Sequence, residues 1–150
     1  MADNSIESLF ARLRRFPDVE AANLQAWDAT DRLLLDTALE MHAAAMLQPG
    51  GRLAVVGDRY GALTLGALTL GAHGVRVHQD LITGERALRA NAEALAIDAG
   101  FEHLPLGAGL LEGASLVLLQ LPRSLAELEE IADAVARYAA PDVVLLAGAA

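Results

Sequence analysis

The chain has 150 residues, 54% apolar and 21% charged, with a mean hydropathy of +0.35. That is the size of one domain with a sizeable core, well away from the weakly apolar, highly charged compositions of disordered chains. Eleven basic against twenty acidic residues leave a net charge of −9 and an isoelectric point near 4.7. The average surface therefore repels phosphate backbones and anionic lipid. The absence of cysteine excludes disulfides, thiolate zinc sites and a cysteine nucleophile.

The opening Met1-Ala2-Asp3-Asn4-Ser5 has neither the basic region nor the apolar run of a secretory signal, and the most apolar stretch, 61–72, is too short to span a bilayer. A soluble, cytoplasmic protein without membrane contact is expected. Asn4-Ser5-Ile6-Glu7 reads as a helix cap, with Ile6, Leu9, Phe10 and Leu13 following at helical spacing and Phe16-Pro17 ending the helix. A second helix is predicted from about Asp28 to Leu47, where Leu33, Leu34, Ala38, Met41 and Ala45 keep the period and Gln48-Pro49-Gly50-Gly51 stops it.

Arg52 to Val56 then reads as a buried parallel strand opening onto Gly57-Asp58-Arg59-Tyr60-Gly61. Gly61-Ala62-Leu63-Thr64-Leu65 is repeated at once as Gly66-Ala67-Leu68-Thr69-Leu70, too short a repeat for an architectural unit and best read as a buried helix with small residues at close contacts. Gly74 is expected to end it. Val75 to Gln79 alternates as a strand with Asp80 at its carboxyl end, and the alanine-rich stretch from Gly84 to Ala99 is predicted helical. Phe101 to Leu104 reads as a weaker strand and Ser115 to Leu121 as a clear one, ended by Pro122. Ser124 with Glu127 forms a capping box for a helix with Leu125, Leu128, Ile131, Val135 and Tyr138 on its apolar face. Asp142 to Ala147 reads as the last strand.

Strands alternating with helices of these lengths predict a doubly wound, Rossmann-like α/β fold: a mostly parallel sheet with helices on both faces, truncated after about five strands. The expected organisation is a helical lead-in over 1–48 and an α/β core over 52–150. Ligands of such sheets bind beyond the carboxyl ends of the strands. A G-x-G-x-x-G fingerprint is absent; between Gly57 and Gly61 stand Asp58, Arg59 and Tyr60, which would crowd or repel a phosphate. Asp80 is placed to accept hydrogen bonds from a ribose, although an aspartate at a strand end also commonly caps the next turn. His42, His73, His78 and His103 fall in different elements without a ligand pair at i, i+4, so no metal is expected. Arg12, Arg14 and Arg15 form the sole basic cluster, suited either to a helix end or to an RNA contact.

Four segments together carry a resemblance: Leu24-Gln25-Ala26-Trp27-Asp28-Ala29 before the long helix, Val56-Gly57-Asp58-Arg59-Tyr60-Gly61-Ala62-Leu63, Asp80 with Asn91 eleven residues on, and Leu121-Pro122-Arg123-Ser124-Leu125. No one of them is specific; their order and spacing are. From roughly Phe16 onward the chain resembles the amino-terminal domain of the two-domain ribosomal RNA guanine-N2 methyltransferases. The resemblance implies two methyltransferase-like halves, with the carboxyl-terminal one, absent here, binding S-adenosylmethionine and transferring the methyl group.

An active domain of the broader class carries an acidic-x-Gly-x-Gly-x-Gly loop. Here Val55 takes the acidic place, Gly57 the first glycine, Arg59 the middle one and Gly61 the last. The Asn-Pro-Pro-aromatic motif expected after the fourth strand is replaced by Gln120-Leu121-Pro122-Arg123. The resemblance thus implies a noncatalytic half that binds no cofactor, with Gly57, Asp58, Gly61 and Asp80 as a vestigial cofactor site. Its partners would be the catalytic half and ribosomal RNA, the latter met by Arg12, Arg14, Arg15 and Arg123. Two alternatives stay open: an active S-adenosylmethionine-binding domain, or a protein-interaction domain suited to the acidic surface.

Overall fold

The computed structural model of the chain describes residues 2–15, 26–47, 52–80, 82–97 and 100–149. The expected helix stop at Phe16-Pro17, the turn at 48–51 and the Leu24-Gln25 part of the resemblance lie outside the described residues. In chain order the elements are α1 (Ala2–Arg12), α2 (Ala29–Met41), α3 (Ala43–Leu47), β1 (Leu53–Val56), α4 (Ala62–Leu70), β2 (Val75–His78), α5 (Ile82–Ala94), β3 (Phe101–His103), α6 (Ala108–Leu111), β4 (Leu116–Gln120), α7 (Leu125–Tyr138) and β5 (Val144–Gly148).

The five strands form one sheet in the order β3-β2-β1-β4-β5, and every neighbouring pair is parallel. The doubly wound α/β expectation therefore holds. β1 shows how the sequence builds it. An uninterrupted apolar Leu53-Ala54-Val55-Val56 alternates its side chains, sending Leu53 and Val55 into one core and Ala54 and Val56 into the other. The first core joins α1, α2, α4 and α5 to the sheet through Ile6, Phe10, Leu35, Leu63, Leu88 and Leu118. The second packs α6 and α7 on the opposite face through Leu110, Leu111, Ile131, Ala134, Val135 and Leu119. Each fully buried leucine among these contributes roughly 1.5–3 kcal/mol by leaving water.

α4 is apolar on every side and is accordingly buried from Ala62 to Ala67. Its two glycines, though they occupy equivalent places in the repeat, do different work. Gly61 stands at φ +102° as the N-cap, a left-handed conformation strained for other residues. At Gly66 a Cβ would come within 2.5 Å of Leu35 Cδ1, so the missing side chain lets α2 press against α4.

Several sequence expectations are corrected. α1 already runs from Ala2, so Asn4-Ser5 lies inside the helix and not before it. The long second helix divides at His42, whose φ of −135° leaves the helical region, and becomes α2 and α3. Gly71, not Gly74, ends α4. α5 starts at Ile82 and stops at Ala94, where Leu95 and Ala96 turn, Ala96 with φ +57°. The short α6 had no periodic signal in four residues. Ser124 does cap α7 by accepting from Glu127 N at 3.1 Å.

Candidate functional site

The strand order reverses between β1 and β4, so the crevice beyond their carboxyl ends is where a doubly wound sheet holds ligands. Two adjoining clefts open there, of about 650 and 170 Å³, sharing Asp28, Gly57, Arg59 and Gln120 in their walls. The larger extends over His78, Asp80, Arg123 and the first turns of α7; the smaller reaches under Arg15, Trp27 and Tyr60 to Asp31 and Asp58.

The loop after β1 is held by its own backbone. Gly57 at φ +87° donates its N–H to His78 O at 3.0 Å, and a Cβ there would sit 3.0 Å from Gln120 O. At Gly61 a Cβ would lie 2.7 Å from Leu88 Cδ1, so α4 and α5 meet through this glycine. Asp58 is only 2% exposed. Its carboxylate accepts from Leu63 N at 3.2 Å and Thr64 N at 2.8 Å, capping the first turn of α4. Burial pushes its carboxyl up, against the lowering effect of those hydrogen bonds. Asp80 is the exposed member of the expected set, with a side chain 66% accessible and an oxygen 2.9 Å from His78 Nε2, while His78 Nδ1 faces Leu104 O at 3.0 Å.

A carboxyl cluster that the sequence reading did not single out lies between the clefts. Asp28 caps α2 in a reciprocal box with Asp31: Asp31 N donates to Asp28 Oδ1 and Asp28 N to Asp31 Oδ2, each at 3.0 Å. Gln120, at the end of β4, donates its amide to Asp31 Oδ1 at 2.6 Å and to Asp28 Oδ1 at 3.3 Å. Burial, then the nearby Asp58 charge, hold the Asp31 carboxyl up at about 7. The signal in the sequence was Asp28-Ala29-Thr30-Asp31, an acidic version of the capping box; Gln120 lies 89 residues away and only the sheet brings it there.

The arginines separate. Arg12 and Arg14 are exposed at the end of α1, whereas Arg15 enters the smaller cleft with its guanidinium 5.7 Å from the Tyr60 ring centroid, and Arg59 lies 5.5 Å from the same ring. Arg123 is exposed on the wall of the larger cleft. Asn91 is buried and structural: its amide donates to Tyr60 O at 2.7 Å and Arg14 O at 2.9 Å, and its carbonyl accepts from Arg14 N at 2.8 Å. Among the described residues no group of three or more histidine, aspartate or glutamate side chains could hold a metal, and no helix is long and apolar enough to cross a membrane.

Comparison with known proteins follows the same lines. The family model described as RLMG N-terminal domain matches residues 1–150. Ribosomal RNA large subunit methyltransferase G of Pectobacterium atrosepticum is 32% identical over 151 residues, covering 99% of this chain and 38% of that protein. The protein of the same name from Streptomyces avermitilis is 35% identical over 120 residues, covering 79% of this chain and 30% of its own length. The chain thus spans about a third of the length of the curated relatives it matches. Precorrin-6y C5,15-methyltransferase from Geobacter metallireducens superimposes with a TM-score of 0.64 at 17% identity, over 87% of this chain and 67% of its own. Geranyl diphosphate methyltransferase, solved with S-adenosylmethionine, gives 0.65 at 16% identity over 96% and 53%. At those identities the likeness is one of fold. Both the whole-length match and the sequence identity place this chain in one family: it belongs to the RLMG N-terminal domains.

Proposed function

We propose that this chain is a noncatalytic methyltransferase-like domain of an S-adenosylmethionine-dependent ribosomal RNA guanine-N2 methyltransferase. It supports a catalytic domain that follows it and helps place the RNA. In this reading residues 1–48 are a helical lead-in, 52–150 the α/β core, and the downstream domain holds the cofactor and transfers the methyl group.

The observation that carries the reading is the exit of β4. Methyl transfer is an in-line displacement that needs the acceptor nitrogen held beside the donor in a closed pocket. The side chain at that exit, Gln120, has its amide donated to Asp31 and Asp28, and the residues after it, Leu121, Pro122 and Arg123, supply neither an asparagine amide nor an aromatic ring for a base to stack on. The residues beyond β1 fit the cofactor no better. Val55, at the place of the class's acid, is fully buried in the core. Arg59 projects at the middle glycine's place, and the Asp58 carboxylate is taken by the amides of α4. Arg15 and Arg123 on the rim of the clefts, with Arg12 and Arg14 at the end of α1, are the cations offered to RNA.

A second reading, in which the domain binds S-adenosylmethionine, is favoured by one feature: the exposed Asp80 on the wall of the 650 Å³ cleft, where a ribose could reach it. Calorimetric titration of the folded chain with S-adenosylmethionine and S-adenosylhomocysteine separates the two. No heat is expected; saturable micromolar binding of either ligand would overturn the noncatalytic reading.

A further inference from the structure

The smaller cleft has the size and the wall for a single ring system. Cofactor pockets run from roughly 300 to 1,000 Å³, whereas this one holds about 170 Å³. Trp27, the only tryptophan of the chain, lines it together with Tyr60. Both rings are held in place. Trp27 packs on Phe10 with ring centroids 4.9 Å apart and remains half-buried, while Tyr60 is buried beside the guanidiniums of Arg15 and Arg59.

The same wall carries an acceptor and a cation. The Asp28 carboxylate accepts from Asp31 N and from the Gln120 amide, and both bonds fall on Oδ1. Among the described residues Oδ2 has no donor, and Asp28 lines both clefts. Because Asp28 also caps α2, its carboxylate is fixed against the helix and does not swing into solvent. Arg59 is exposed where the two clefts adjoin. A flat ring stacks on tryptophan, an amine on that ring donates to a fixed carboxylate oxygen, and an anion attached to it meets a guanidinium. A nucleotide carries all three groups. Uracil is the poor fit among RNA bases, since it has no exocyclic amine and its two carbonyls flank its one N–H and repel a carboxylate. In a duplex the amine is already used in pairing.

We infer that the smaller cleft is a subsite for one unpaired, amine-bearing ribonucleotide of an RNA strand. Its base lies against Trp27, its exocyclic amine donates to Asp28 Oδ2, and its phosphate meets Arg59. The inference rests on the reading that the domain helps place RNA and gives that reading a site. On a chain of net charge −9 phosphate contacts alone are opposed, so stacking and the amine supply the affinity that the average surface denies.

The test follows the indole N–H resonance of Trp27, the single such signal of the folded chain, during titration with ribonucleoside 5′-monophosphates and with short single-stranded oligomers. AMP, CMP and GMP are expected to move it saturably, with dissociation constants on the order of millimolar, and UMP to bind about tenfold more weakly. Oligoadenylate and oligocytidylate are expected to bind more tightly than their monophosphates. A still signal with every ligand overturns the inference, as does an equal response to UMP. Movement with the monophosphates and none with the oligomers overturns it too, because the ligand is then a free nucleotide. In Asp28→Asn the α2 cap is kept, since asparagine caps as well as aspartate, but an amide that donates can replace Oδ2. Affinity for AMP is expected to fall about tenfold, to that of UMP, and an unchanged affinity overturns the inference. Arg59→Gln is expected to remove the advantage of AMP over adenosine; an advantage that survives overturns the phosphate contact. An oligomer that binds by fluorescence anisotropy without moving the Trp27 signal sinks the subsite and leaves the placement reading standing, so the two fail separately.

Discussion

Asp31 is the residue at which a single substitution tests the electrostatics of the site most directly. Its carboxyl lies between Asp28, Asp58 and Gln120, 7% exposed, and burial holds it up at about 7 from an ordinary 3.8. In the unfolded chain it ionises near pH 4, whereas in the folded chain it keeps its proton until about pH 7. Between those values folding takes up a proton, so stability falls as pH rises, by up to about 1.4 kcal/mol per pH unit, and levels off above 7. Over the whole window the penalty is on the order of 4 kcal/mol. Asp31→Asn removes it. The asparagine carbonyl still accepts from Asp28 N, and its amide donates to Gln120 Oε1 once the Gln120 amide turns over, at a cost of about 1 kcal/mol for the rearranged hydrogen bonds. Urea denaturation from pH 5 to 8 should show the variant within about 1 kcal/mol of the parent at pH 5, where the penalty is still only about 1.5 kcal/mol, and roughly 3 kcal/mol more stable at pH 8. Asp58, whose carboxyl is also raised, is present in both proteins, so the difference reports Asp31 and its coupling to Asp58. Parallel pH profiles for the two proteins would refute the reasoning.

Gly61→Ala places a Cβ 2.7 Å from Leu88 Cδ1 at φ +102°, and should cost about 2–4 kcal/mol in denaturant midpoint analysis; a loss below about 0.5 would mean that the loop relaxes freely. Asn91→Ala leaves Tyr60 O and both backbone groups of Arg14 without their buried partner, and should cost about 2–4 kcal/mol, with faster proteolysis after α1 as the second readout. Ser124→Ala removes the α7 cap from an exposed position, so about 1 kcal/mol should be lost in thermal unfolding with no change in fold by circular dichroism. Arg59→Gly restores the middle glycine of the loop and should still give no heat with S-adenosylmethionine, since Val55 and Gln120 remain; recovered binding would show that Arg59 alone blocks the cleft.

Most of the fold was legible because its signals are local. Leu53 to Val56, Leu116 to Gln120 and the Ser124 cap each declare themselves within a few residues, and alternation of such strands with helices leaves few topologies. The failures are local too. Asn4-Ser5 has the composition of a cap, but side-chain composition sets only a preference, and α1 continues through it to Ala2. His42 interrupts a helical pattern that is apolar on both sides of it, and α6 is too short for a period to show.

The candidate site divides along the same line. The sequence by itself determined which residue types stand at the strand ends: Gly57, Asp58 and Gly61 after β1, Asp80 after β2, and Gln120 to Arg123 after β4. It could not say where their side chains turn, because a carboxylate goes to whichever donor the packed neighbours supply. Only the tertiary structure turned Asp58 inward onto the amides of α4, left Asp80 in solvent beside His78, and carried Gln120 across 89 residues to meet Asp31 in a buried cluster. Those contacts join α2 to the end of β4 through the order of strands in the sheet, and strand order is a property of packing that no run of neighbouring residues contains.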